Sequence, residues 1–157
     1  MRRAAKPAEN QPPLVNSFRL ESHLFYYFSQ ILARRTRALN VQLQPFGLDY
    51  ARWRVLAVLN EAASMSMGRL AELSSVDRTT LTRTLGLMEA DGLIRRTPNV
   101  ADRRGVDISL TAKGRRLLGK ILPEVLAQTA RSVAGFDADE VAFLRGLLAR
   151  MVDNLKP

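Results

Sequence analysis

Arg78, Thr79, Thr80, Thr82 and Arg83 crowd five hydrogen-bonding side chains into six positions, interrupted only by Leu81. Leu81, Leu85 and Met88 are spaced i, i+4, i+7, so a helix over this run buries one apolar stripe and turns Thr79, Thr82, Arg83 and Gly86 outward. Packing gives no reason for those outward choices. Nucleic acid does: a guanidinium pairs bidentately with guanine, and threonine meets a phosphate or the methyl of thymine. Gly86 costs such a helix about 1 kcal/mol relative to alanine. It either permits a close approach or is neutral, and the sequence leaves both open.

A second basic cluster follows. Leu93 to Thr97 reads as a strand, and Val106, Ile108 and Leu110 alternate with Asp107 and Ser109 at the period of a half-buried strand. The turn between them runs from Pro98 to Gly105 and carries Arg103 and Arg104 side by side, a shape suited to the narrow minor groove. Asp102 can hold Arg104 in place through a charge-assisted hydrogen bond.

These side chains need a scaffold, and the flanking residues supply one. A short helix over about Met67 to Leu73, capped by Ser66, presents Leu70, Ala71 and Leu73. Ser74, Ser75 and Val76 make a turn. Asp77 caps the Thr- and Arg-rich helix and sets a carboxylate at its positive end; Gly92 fits the left-handed position that ends it. Helix, tight turn, helix and basic hairpin in that order make a winged helix-turn-helix. The expected fold is mainly α with a small β-hairpin wing, flanked by N- and C-terminal dimerisation helices.

Residues 1–16 are polar and proline-rich and read as a flexible arm, and residues 17–157 as a single domain. Within it, residues 45–111 form the DNA-binding lobe, and residues 17–44 and 112–157 supply the dimerisation helices. A long helix is expected from about Ser17 to Gln44, striped by Leu20, Leu24, Phe28 and Ile31. A second is expected from about Asp49 to Ala62, burying Trp53, Leu56, Ala57 and Leu59. After the wing, Thr111 caps a helix rich in Leu117, Leu118, Ile121, Leu122, Val125 and Leu126, which Pro123 should kink. Asp137 to Glu140 gives the last helix a capping-box start. There Val141, Leu144, Leu148, Met151 and Leu155 are spaced 3, 4, 3, 4, a coiled-coil type seam. With Leu20 and Leu24 it is expected to form a twofold interface between two copies of the chain.

The chain resembles the MarR family of transcriptional regulators. The resemblance rests on Leu70-Ala71-Glu72-Leu73, on Asp77-Arg78-Thr79-Thr80-Leu81-Thr82-Arg83 and on Glu89-Ala90-Asp91-Gly92-Leu93-Ile94. It rests also on the wing Asp102-Arg103-Arg104-Gly105, and on Leu110-Thr111 with Gly114 leading into the next helix. It covers about residues 17–155. It implies an obligate homodimer, the helix around 78–91 in the major groove, Arg104 in the minor groove positioned by Asp102, and a small-molecule pocket between the dimer helices and the DNA-binding lobe.

Composition narrows the classes. The 157 residues hold 24 Lys and Arg against 15 Asp and Glu, a net charge of +9. Residues 66–120 carry eleven basic and six acidic residues, whereas residues 121–157 carry four and five. The excess therefore falls on the nucleic-acid-reading lobe and equally on residues 1–65, with nine basic and four acidic, and spares the C-terminal segment. No apolar run is long enough to span a bilayer, and prolines follow the basic start where a signal peptide needs apolar residues, so a cytoplasmic, nucleoid-associated protein is expected with no membrane partner. The absence of cysteine excludes disulfides, thiolate catalysis and the cysteine-based oxidant sensing of one branch of the resembled family. One histidine, His23, cannot build a triad or a multi-histidine metal site, and no phosphate-binding glycine loop is present. No enzyme, cofactor or metal is expected.

The reading is a sequence-specific regulator, a repressor that binds an inverted-repeat operator as a homodimer and is released by a small aromatic or anionic ligand. His23, Tyr26, Tyr27, Arg52, Trp53 and Arg54 are the candidate ligand-pocket residues, and at most one of the two arginines can face it, because residues two apart on a helix diverge by about 200°. Ligand would wedge the dimer helices against the DNA lobes and spoil the groove spacing. The alternatives are a winged helix kept as a protein-interaction module and a sequence-neutral architectural DNA binder.

Overall fold

The computed structural model describes residues 19–99 and 105–156. The chain divides into two units, residues 1–37 and 38–157. In the first, a 3-10 turn over Leu20–Ser22 precedes α1, Leu24–Leu43, whose last turns belong to the second unit. The expected unbroken helix from Ser17 is therefore interrupted at His23, which is extended at φ −78°, ψ 127°. Local bonding explains the break: the Ser22 hydroxyl donates to the Arg19 carbonyl at 3.2 Å, and the His23 N–H donates to the Leu20 carbonyl at 3.2 Å.

The second unit continues with α2, Tyr50–Leu59; β1, Met65–Ser66; α3, Met67–Ser74; α4, Arg78–Ala90; β2, Ile94–Pro98; β3, Val106–Leu110; α5, Ala112–Ser132; and α6, Ala138–Asn154. Side chains within three residues of each helix start fix where it begins. Asp49 accepts from the Arg52 N–H, Ser66 from the Arg69 N–H, Asp77 from the Thr80 N–H and Thr111 from the Gly114 N–H. At α6, Asp137 and Glu140 form a complete capping box. Gly92 takes φ +67° after α4, a left-handed conformation that glycine adopts without a Cβ penalty.

The three strands form one antiparallel sheet in the order β1-β3-β2, with Met65 opposite Ile108 and Arg96 opposite the same residue from the other side. β1 adds a strand to the expected hairpin and makes β3 central. The alternation expected of β3 holds only in part. Ser109 is buried rather than outward, and its hydroxyl accepts from the Arg95 Nε at 3.2 Å; Val106, beyond the reach of two-residue β1, is exposed.

The core joins α2, α3, α4, the sheet and α5. Leu56, Leu59, Leu70, Leu81, Leu85, Met88, Ile94, Ile108 and Ile121 are all but inaccessible to water, together with Leu39 and Leu43 from the end of α1. α2 buries Val55 and Val58 as well as the expected Trp53, Leu56 and Leu59, while the expected Ala57 is only partly buried, so most of its surface packs into the lobe. Leu73, expected on the packed side of α3, is exposed. α5 runs through Pro123 as one helix; the missing proline N–H removes one bond to the carbonyl four residues back without ending the element.

Candidate nucleic-acid interface

α4 is held by its caps and by four buried residues, and the rest of it faces water. Leu81, Thr84, Leu85 and Met88 are buried, and Arg78, Thr79, Thr80, Thr82, Arg83 and Gly86 are exposed. The hydroxyls differ in what they have left to offer. The Thr80 hydroxyl and N–H both donate to Asp77, the N–H at 2.9 Å. The Thr82 hydroxyl donates to the Arg78 carbonyl one turn back, at 2.8 Å. The donors left on this face are the guanidiniums of Arg78 and Arg83 and the hydroxyl of Thr79.

Asp77 sits at the tip of this helix, fully exposed. The Thr80 hydroxyl, then the Thr80 and Thr79 backbone N–H groups, hold its carboxyl below the ordinary 3.8. A lowered folded-state pKa means the cap's contribution is complete above the unfolded value and is lost as pH falls through the folded one. Acid below about pH 4 is therefore expected to loosen the first turn of α4. Asp77→Asn should flatten that limb of a stability-versus-pH curve, and an unchanged acid limb would show that the cap does not couple to folding.

The hairpin brings further cations to the same lobe. Arg96 pairs with Glu89 at 3.5 Å, which ties β2 to α4. Asn99 joins the two strands: its N–H donates to the Gly105 carbonyl at 3.0 Å and its side-chain amide to Asp107 at 2.9 Å. Asp102, Arg103 and Arg104, the expected wing contacts, lie outside the described residues, as does the arm over residues 1–16.

The expected ligand residues fall in different surroundings. Arg52 donates to the Gly47 carbonyl at 2.9 Å and pairs with Asp91 at 3.2 Å, so its guanidinium fastens the start of α2 to the end of α4. Trp53 is a core residue. His23 and Tyr27 lie in the first unit, His23 beside Phe25 with ring centroids 5.9 Å apart and Tyr27 largely exposed. Arg54, the other arginine of α2, donates to the carbonyls of Ser74 at 3.0 Å and Leu73 at 2.9 Å, closing the C-terminus of α3 where Ser75 turns left-handed. Neither staple is legible in the sequence, because Asp91, Ser74 and Leu73 lie 19 to 39 residues away.

A cleft of about 390 Å³ does open in the second unit. Phe46, Leu48, Leu93 and Leu117 form its apolar floor, and Lys113, Arg116 and Lys120 supply cations from α5. Lys113 donates to the Asp91 carbonyl at 2.7 Å. No group of three or more His, Cys, Asp or Glu that could hold a metal occurs among the described residues, and no described helix is long and apolar enough to cross a membrane.

A buried helix-turn-helix core, an outward Thr- and Arg-bearing second helix and an antiparallel wing define a winged helix-turn-helix DNA-binding lobe. The comparisons with known proteins place it more narrowly. The sequence model of the MarR family matches residues 46–105. The multiple antibiotic resistance protein MarR of Escherichia coli is 32% identical over 126 residues, 76% of this chain and 83% of that protein. The HTH-type transcriptional repressor IacR of Pseudomonas putida is 27% identical over 157 residues, covering 98% of this chain and 94% of the repressor. Among solved structures, a MarR-family transcriptional regulator from Silicibacter pomeroyi superposes with a TM-score of 0.80 at 29% identity, over 87% of this chain and 92% of that one. A mutant of the E. coli MarR complexed with operator DNA superposes with a TM-score of 0.72 at 30% identity, over 82% and 92%. The chain belongs to the MarR family of DNA-binding transcriptional regulators.

Proposed function

We propose that this protein is a homodimeric repressor that reads an inverted-repeat operator with α4 and lets go of it when a small anionic or aromatic ligand binds. The observation that carries the DNA reading is the outer face of α4, where Arg78, Thr79, Thr82 and Arg83 stand exposed over four buried residues. Arg83 reads guanine, Thr82 and Thr79 make threonine contacts to base methyls or phosphates, and Arg78 and Thr80 lie over the backbone. The wing residues Arg103 and Arg104, with Asp102, add a minor-groove contact; their part rests on the sequence alone. The similarity to IacR, a repressor, and to a MarR solved with operator DNA supports the same reading.

The dimer is supported by α6. None of its residues is buried within the single chain, yet it carries Val141, Leu144, Leu148 and Met151 along one seam, with Leu155 just past its end. Leu20 and Leu24 are likewise exposed, and so are Leu122 and Leu126 of α5. Apolar surface in such amounts marks a partner surface, and a second copy satisfies it with closed twofold symmetry. Two α4 helices related by that axis meet half-sites about one helical turn apart.

For the ligand, the cleft over Phe46, Leu48, Leu93 and Leu117 suits an aromatic carboxylate better than the residues the sequence suggested. It joins an apolar floor to the cations of Arg116 and Lys120, whereas Arg52 and Trp53 are engaged elsewhere. Occupation would act by shifting the dimer toward a state whose α4 helices no longer match successive major grooves. A titration of aromatic carboxylates into the protein–DNA complex tests this: a compound that binds the protein without changing its DNA affinity would count against it.

Arg83→Ala tests the reading as a whole. It is expected to weaken binding to the preferred duplex by about 1–3 kcal/mol and to relax preference at one base position. Equal losses on preferred and scrambled DNA would favour an architectural binder, and no loss on either would favour a protein-interaction module.

A further inference from the structure

We propose that Gly86 sets the depth at which α4 seats in the major groove, and that it is glycine for the sake of the DNA and not of the fold. The inference rests on α4 being the DNA-reading helix.

A Cβ built on Gly86 meets nothing within 4 Å. No part of this chain therefore requires its absence, in contrast to Gly114, where a Cβ would collide with the Leu93 carbonyl oxygen. Gly86 has no left-handed backbone to account for it either; among the described residues positive φ is confined to Gly47, Gly92, Gly135 and Ser75. Its helix would be more stable with alanine. Gly68, Gly119 and Gly146 also sit in helices with open space around them, but none of these lies on the face that carries the base-reading side chains.

Position gives Gly86 its meaning. It follows Arg83 by three, Thr82 by four and Thr79 by seven, so it continues their face one turn further along the axis. Apart from Arg83, the side chains of that face, Thr79 and Thr82, are short. The Thr82 hydroxyl is engaged with the Arg78 carbonyl, which leaves its methyl for contact with DNA. A threonine methyl reaches a thymine methyl only when their carbons come within about 4.0–4.5 Å, so the helix axis must lie close to the base edges. A helix that deep brings its next turn against the groove wall. There the missing Cβ leaves room for the sugar-phosphate backbone, and any side chain would lift α4 away from the bases that Thr79 and Thr82 have to touch.

The test uses the full chain and a duplex that the unaltered protein selects from a randomised pool. Affinities for that duplex and for a scrambled one are measured for the unaltered protein, Gly86→Ala and Arg83→Ala, with thermal melts alongside. Gly86→Ala is expected to raise Tm by about 2–4 °C. It should leave the scrambled duplex within about twofold and lose about tenfold or more on the selected duplex, within the range of one spoiled base-pair contact. A more stable protein that discriminates less well separates a DNA role from a structural one. If Gly86→Ala keeps its discrimination while Arg83→Ala loses it, α4 still reads DNA and the depth inference is overturned. If both variants keep it, the inference falls together with the reading of α4.

Discussion

Gly114→Ala is expected to destabilise the protein by about 2–3 kcal/mol, at the upper end of the overpacking range. α5 begins directly against the turn that closes α4: the Thr111 hydroxyl donates to the Gly92 carbonyl at 2.7 Å, and the Thr111 N–H donates to the Leu93 carbonyl at 3.0 Å. That pair of bonds draws the first turn of α5 so near the chain at Leu93 that a methyl on Gly114 runs into the carbonyl oxygen, with Leu110 behind it. The obstacle is backbone, held on one side by the turn after α4 and on the other by the sheet, so it cannot swing aside as a side chain would. Urea denaturation at fixed protein concentration measures the effect as a lower midpoint with an unchanged slope. Gly119→Ala, in the same helix and with open space around it, is the control, expected to stabilise by about 1 kcal/mol. Equal effects at the two positions would mean that the close approach at Leu93 does not constrain this helix.

The second large effect concerns assembly. Leu144→Asp combined with Leu148→Asp is expected to raise the dimer dissociation constant by at least about a thousandfold. Each leucine contributes about 1.5–3 kcal/mol when fully buried, twice over in a twofold interface, and each carboxylate would enter an apolar seam without a partner. Neither residue is buried within the single chain, so the lobe should stay folded. Sedimentation equilibrium should report a monomer with the helical content of the parent protein, and DNA binding should fall to that of one half-site. A variant that remains dimeric would move the interface away from α6.

The sequence makes most of this lobe legible because its decisive chemistry is local. Ser66, Asp77, Thr111 and Asp137 each bond a backbone N–H three residues on, so a cap can be read without knowing the fold. Gly92 and the 4-3 spacing of Leu81, Leu85 and Met88 are local in the same sense. What stayed hidden depends on distant partners. β1 is two residues long, too short for any alternation, and exists only because Met65 and Ser66 meet Ile108 and Asp107. Ser109 reads as outward until Arg95 of β2 is laid beside it. Arg52 and Arg54 look like free cations near aromatics until their acceptors, Asp91, Ser74 and Leu73, are brought beside them. The outward residues of α4 were plain from the pattern, but not that the hydroxyls of Thr80 and Thr82 are already engaged by Asp77 and Arg78.

Footprinting on the DNA upstream of the protein's own coding sequence, with random duplex as competitor and at two salt concentrations, tests the central claim most directly. The account predicts protection of an inverted repeat whose half-sites lie about one helical turn apart, bound tightly enough to survive the competitor at both salts. Weak binding that is equal on both DNAs and collapses as salt rises would report phosphate contacts alone, and would contradict a dimer that reads sequence through α4.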